Sequence, residues 1–117
     1  MPTELPASTR EPVLTLSYGE QTIKLGPAWP SALLGREASN DLAIKDNMAS
    51  RVHCKIEYRR REFFLVDQST NGTYVKLGGD AEILLKREQL LLRGSGVFCL
   101  GASSAAAGAK VVTFALS

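Results

Sequence analysis

Apolar residues in this chain recur in short runs separated by turn-forming residues, at intervals of roughly 8 to 12 residues, and helical periodicity is scarce. The alternation is clearest over 52–58. There Val52, Cys54, Ile56 and Tyr58 fall on one face and His53, Lys55 and Glu57 on the other, which predicts a half-buried strand with Cys54 turned inward. Upstream, 13–17 and 22–25 flank Tyr18-Gly19-Glu20-Gln21 and predict a hairpin, and 32–34 and 42–44 predict two more strands. Downstream, strands are expected over 63–67, 74–77, 83–85, 89–92, 97–100 and 111–116, with Gly78, Gly79, Asp80, Gly94 and Gly96 marking turns. The alanine-rich stretch 103–109 is bracketed by Gly101 and Gly108 and followed by β-branched residues, so it reads as a loop. About eleven short strands in roughly 105 residues predict an all-β fold, an antiparallel β-sandwich of two sheets packed face to face.

Pro2, Pro6 and Pro12, among Thr, Glu, Ser and Arg, make 1–12 a stretch that buries little and resists pairing, and it is read as a flexible linker. The expected domain is 13–117, a module joined to something longer. With 117 residues, 44% of them apolar, the chain can bury a core without disulfide or metal. A formal net charge of +2 is far below the dense positive field of a dedicated nucleic-acid binder, so nucleic acid is not the leading partner. Arg59, Arg60 and Arg61 fall in the turn expected between two strands. A basic run there serves to keep the turn solvated, with an acidic or nucleic-acid contact as the alternative.

Catalytic and metal chemistry finds few candidates. Cys54 and Cys99 lie far apart without a C-x-x-C spacing and His53 is the only histidine, so a Cys/His zinc cluster cannot be assembled from this chain. Any Ser or Cys triad would have to use His53, and neither a nucleophile elbow nor a phosphate loop occurs. No enzymatic activity, cofactor, metal or small-molecule substrate is therefore expected. No apolar stretch approaches the roughly 18 residues of a membrane span and no secretory leader pattern is seen, so the chain is expected in the cytoplasm with reduced thiols.

Three polar clusters fall between the predicted strands: Gly35-Arg36, Ser50-Arg51-Val52-His53 and Ser69-Thr70-Asn71-Gly72-Thr73. Singly, each has a plain explanation: a turn with a solvated charge, a structural histidine, and an Asn-Gly hairpin turn. In this order and spacing, with Asn40-Asp41 and Asp67 between and beside them, they resemble the signature of the forkhead-associated (FHA) domain. Roughly 33–75 carries the signature. The resemblance implies an eleven-stranded sandwich that binds phosphothreonine peptides in Ser/Thr-phosphorylation signalling. The family's usual second Asn is here Lys76, and its later Gly-Asp pair is Gly94-Ser95. Asn47-Met48-Ala49-Ser50-Arg51 together with Leu92-Arg93-Gly94-Ser95-Gly96 resembles FHA modules attached to bacterial adenylate and guanylate cyclases, which implies a regulatory domain of such a protein.

By that resemblance, Arg36 is the primary phosphate ligand, its planar guanidinium offering two donors to phosphate oxygens. Ser50 adds neutral donors, Arg51 contacts phosphate or an acidic residue of the peptide, and Thr70 and Asn71 hold the peptide near the phosphothreonine. His53, Gly35, Ser69 and Gly72 support the binding loops, with Asp67 at the start of the last one. Two other functions stay open on the residues alone: a phosphate-independent assembly domain on the same scaffold, and a weak nucleic-acid binder using Arg51, Arg59, Arg60 and Arg61.

Overall fold

Strands form where apolar residues alternate, because a pleated chain sends successive side chains to opposite faces and only one face here can reach a core. The computed structural model describes residues 12–106 and 108–117. Among these, the order is β1 (Leu14–Tyr18), β2 (Gln21–Leu25), β3 (Ser31–Gly35), β4 (Leu42–Ala43), β5 (Cys54–Arg59), β6 (Glu62–Asp67), β7 (Thr73–Leu77), β8 (Ile83–Leu85), β9 (Gln89–Leu92), β10 (Ser95–Leu100) and β11 (Val111–Leu116). A six-stranded sheet runs β2-β1-β11-β10-β7-β8 and a five-stranded sheet runs β4-β3-β5-β6-β9. The fold is the all-β sandwich expected, and 103–106 is loop. Of the linker read over 1–12, residues 1–11 lie outside the described residues. No helix among the described residues is long and apolar enough to cross a membrane.

The inner faces meet in one core. Leu14, Leu16, Val75, Phe98, Val112 and Phe114 come from the larger sheet, and Leu34, Ile56, Phe63 and Leu65 from the smaller one; all are 2% exposed or less. Each buried aromatic removes a large apolar area from water, and Phe98 and Phe114 pack with centroids 6.2 Å apart. The outer face of β5 stays polar, where Lys55 and Glu57 pair at 3.0 Å.

Three features depart from the simple alternation. The β3–β4 pair is parallel, with Leu34 opposite Leu42 and Gly35 opposite Ala43, whereas the other strand pairs are antiparallel. A parallel neighbour ordinarily needs a long crossover, but β4 is so short that 36–41 suffices to bring the chain back alongside β3. Strand β5 begins at Cys54, not at 52, and the side chains just before it are inverted from expectation: Val52 is 38% exposed and His53 is fully buried. The chain bends through 51–52, so the period of two does not extend back to them. Asn71-Gly72, finally, is no hairpin turn, since β6 and β7 belong to different sheets and 68–72 carries the chain across the sandwich.

The β5–β6 connection is the hairpin the three arginines suggested. Arg59 pairs with Glu62, leaving Arg60 and Arg61 as a two-residue turn with φ of 51° and 68°. Two successive positive φ angles match the right-handed twist of the strands, and Asn-Gly is the pair that accepts them at least cost. A non-glycine side chain in this region costs on the order of 1 kcal/mol. Replacing Arg60-Arg61 by Asn-Gly is therefore expected to stabilise the fold by about 1 kcal/mol in urea titration. An unchanged midpoint would mean that the turn holds no strain.

Candidate functional site

Three connections meet at the end of the sandwich where β3 and β6 finish and β5 starts. The chain leaving β3 runs beside the chain entering β5: Arg36 N donates to Ser50 O at 2.9 Å, Glu37 N to Arg51 O at 3.2 Å, and His53 N to Leu34 O at 2.8 Å. The Asn40 carboxamide clamps them by donating to Glu37 O (2.8 Å) and Arg51 O (2.7 Å). The approach is so close that a Cβ on Gly35 would stand 2.2 Å from Arg51 O and 2.9 Å from His53 N, so only glycine fits.

Arg36 sits on this clamp with its side chain exposed. Its Nε donates to Ala49 O at 3.1 Å, and its terminal guanidinium nitrogens have no partner among the described residues. Neither Glu37 nor Asp41 neutralises it. The Asp41 carboxylate is turned to Leu33 N, at 2.7 Å.

Beneath the loops lies a chain of buried hydrogen bonds. Ser50 N donates to His53 Nδ1 at 2.9 Å, which makes Nδ1 an acceptor and puts the ring proton on Nε2. That proton is donated to Gly72 O at 2.8 Å, and Gly101 N donates to the same oxygen at 2.9 Å. Burial pushes the His53 pKa below its ordinary value, and the Gly72 carbonyl and the Asp67 charge offset this only in part, so the imidazole is neutral as its bonds require. Gly72 N donates in turn to Ser69 Oγ at 2.7 Å, and Ser69 Oγ donates to Asp67 Oδ1 at 2.7 Å. Gly72 has φ +89°, and a Cβ there would meet Leu84 and the backbone of Leu85. Asp67 also accepts from Thr73 Oγ1 (2.6 Å), Arg87 N (2.8 Å) and Ser69 N (3.3 Å). Burial raises its pKa, but these donors outweigh burial and hold the carboxyl below the usual carboxylate range.

The remaining sequence-expected residues are arranged around Met48 to Arg51. Thr70 N donates to Ser50 Oγ at 3.2 Å, so the Ser50 hydroxyl keeps its own proton to give elsewhere. Asn71 Nδ2 donates to Met48 O at 3.0 Å, which leaves its Oδ1 and second N–H without a partner among the described residues. Ser50 is half-buried, while Arg36, Arg51, Thr70 and Asn71 are exposed. Arg51 joins the group through its carbonyl; its guanidinium bonds to none of the others. Three supports were not singled out from sequence: Arg87, which donates from N to Asp67 and from Nε to Ser69 O (3.4 Å), Gly101, and Asp46, whose carboxylate accepts from Met48 N at 2.8 Å. Arg87 and Gly101 act on a loop distant in sequence, so no local pattern marks them, whereas Asp46 bonds the backbone two residues on, and an Asx turn was the signal available for it.

Chemically, this surface offers donors and positive charge, with the Asp41 and Asp46 carboxylates taken up by backbone N–H groups. It suits an anion with several acceptor oxygens. It holds no primed nucleophile: burial raises the Cys54 thiol far above neutrality and pushes Cys99 up to about 11. Both nitrogens of His53 are committed. Among the described residues no group of His, Cys, Asp or Glu could hold a metal.

Comparison with known proteins finds the same fold in solved structures. Among those that match are three FHA domains. The first FHA domain of Mycobacterium tuberculosis Rv1747 superposes with a TM-score of 0.70 at 17% identity, covering 92% of this chain and 99% of that one. The MEK1 FHA domain, solved in complex with the HOP1 pThr318 peptide, gives 0.66 at 26% identity, covering 89% and 96%. The N-terminal FHA domain of S. cerevisiae Rad53p, solved with a phosphothreonine peptide, gives 0.63 at 16% identity, covering 89% and 91%. No curated protein matches the sequence. The profile of the FHA domain matches residues 32–98, more than half of the chain and all three polar clusters, and the chain belongs to the FHA-domain family.

Proposed function

We propose that this domain is a phosphothreonine-peptide-binding interaction module of Ser/Thr-phosphorylation signalling, with no catalysis of its own. The observation that carries this reading is the exposed Arg36 guanidinium, fixed by Ala49 O yet without a carboxylate partner, beside the donors of Ser50, Thr70 and Asn71. A phosphothreonine brings about 1.5 to 2 negative charges at pH 7 and three strong acceptor oxygens, which is what such a group lacks. In this reading Arg36 and the Ser50 hydroxyl hold the phosphate. Asn71 holds the peptide backbone through its open carboxamide groups, Thr70 lies beside the phosphothreonine, and Arg51 reaches phosphate or a neighbouring acidic side chain. His53, Gly35, Ser69 and Gly72 position the loops without touching ligand. The FHA neighbours solved with phosphothreonine peptides support the assignment. The sequence of 47–51 and 92–96 further supports a regulatory place beside a nucleotide cyclase.

Charge-assisted hydrogen bonds contribute about 1.5 to 3 kcal/mol each, and ordering an extended peptide opposes them, so micromolar affinity, about −8 kcal/mol, is expected. Arg36→Ala is expected to weaken phosphopeptide binding by at least about 2 kcal/mol, or roughly thirtyfold, while the domain stays folded. Fluorescence-polarisation titration against a phosphothreonine peptide library, with phosphoserine and unphosphorylated pools, tests this. Equal affinity of wild type and Arg36→Ala would overturn the assignment.

Acid acts on the complex and on the free domain by different routes. The phosphate's second pKa is near 6, so affinity is expected to fall below that pH as the dianion is lost. In the free domain the folded pKa of His53 lies below its unfolded value of 6.5, so the unfolded chain takes up the proton first. Stability is then fully present above pH 6.5 and is lost as pH falls from there toward the folded pKa. Melting curves without peptide, recorded between pH 7.5 and 5, are expected to show this decline; a flat melting temperature would mean that the folded His53 takes up its proton as readily as the unfolded chain.

A further inference from the structure

The β5–β6 turn presents a second charged surface. It lies at the other end of β5 and β6 from the loops around His53, about 17 Å away at the usual rise per strand residue. Three arginines are gathered there, and two of them hold positive φ angles that Asn-Gly would adopt at less cost. Both turn arginines are exposed, so burial in the core does not offset the strain. Solvation of a turn needs only one charge, and strained backbone of this kind concentrates where a side chain serves recognition.

The third arginine is pre-oriented. Arg59 Nη2 donates to Gln89 Oε1 at 2.9 Å, its Nε stands 3.4 Å from Glu57 Oε1, and its guanidinium carbon lies 4.3 Å above the centre of the Phe64 ring. Together Arg59, Arg60, Glu62 and Phe64 line a shallow cleft of about 330 Å³. The Arg60 guanidinium has no hydrogen-bond or ion-pair partner among the described residues. With the Arg59 guanidinium fixed over the ring and its Nε and Nη2 already engaged, the unpaired Arg60 guanidinium at the rim is the open two-pronged face for a carboxylate, and Arg59 adds its remaining donors and charge.

We propose that this hairpin tip is a second docking site, independent of phosphate, that takes an acidic peptide segment. Glutamates decide the partner class. Glu57 and Glu62 stand among the arginines, so the positive field is broken into separate points. A nucleic acid carries a charge about every 1.7 Å of duplex axis and gains affinity by covering a continuous basic track, which this chain of net charge +2 lacks. Single carboxylates on a peptide can instead match single guanidinium groups and avoid the glutamates.

The test is an amide-shift NMR titration of the intact domain with a hexaglutamate peptide, a matched glutamine peptide and oligothymidylate. Wild type is compared with Arg36→Ala and with Arg60→Asn/Arg61→Gly, which keeps the turn type and so keeps the fold. The glutamate peptide is expected to move the amides of 57–64 and of Gln89. The glutamine peptide should leave them in place, and Arg36→Ala should bind hexaglutamate as wild type does. Arg60→Asn/Arg61→Gly should bind it at least about fivefold more weakly. Shifts confined to residues 36 and 50–51, or equal binding by the turn variant, would overturn the site. Tighter binding of oligothymidylate than of hexaglutamate at the tip would overturn the partner class.

Discussion

One neutral imidazole ties together the loops at the binding end of this sandwich. His53 accepts from Ser50 N at one nitrogen and donates to Gly72 O from the other, so a loop of the smaller sheet is fastened to the crossing that leads into the larger one. Its backbone is engaged as well, N–H to Leu34 O and carbonyl to Gln68 N. Both ring bonds need the same tautomer, and a second proton would turn the Nδ1 acceptor into a donor facing another donor. Burial therefore does two things at once: it strengthens each hydrogen bond and keeps the ring uncharged.

Polarity is sorted by direction throughout this end of the molecule. The buried polar side chains, His53, Asp67, Ser69 and Thr73, are all linked to the same network, and no buried side-chain nitrogen or oxygen among the described residues lacks a partner. Asp67 spends both oxygens on donors from 69, 73 and 87. Asp41 and Asp46 cap the backbone N–H groups of Leu33 and Met48. Acidic groups so occupied are held in place near the loops, while Arg36, Ser50 and Asn71 keep donors to spare. An anion arriving there meets groups already fixed, so little ordering is left to oppose binding.

The opposite end follows a different physical logic. At the β5–β6 turn, charge is concentrated on backbone held at positive φ, and the arginine nearest the strand is held by Phe64, Gln89 and Glu57. The two ends are separated by the length of two paired strands and share no residue. The sheet between them supplies rigidity, since β5 and β6 are paired over their full lengths from Cys54–Asp67 to Arg59–Glu62.

Much of this was legible along the chain, because alternation and turn chemistry are local. Strands β8, β9 and β11 occupy the ranges read from sequence, and the position of the arginine hairpin follows from the flanking apolar runs. The family signature was legible too, since Gly35-Arg36, Ser50-x-x-His53 and Asn71-Gly72 are short patterns at fixed spacing. Orientation just outside a strand was not. His53 and Val52 exchange faces because partners at 50 and 72, not the period of two, set which way they turn. Nor could sequence separate an Asn-Gly hairpin from an Asn-Gly crossing, because that depends on which sheet each neighbouring strand joins. By itself, then, the sequence determined the strands, the turns and the residue types offered to a ligand. Only the tertiary structure decided that the Asp41 carboxylate is taken up by Leu33 N, which ring nitrogen of His53 carries the proton, and that Asp67, Arg87 and Gly101 support one loop. Those outcomes rest on contacts between residues far apart in the chain, and they exist only once the two sheets have closed on each other.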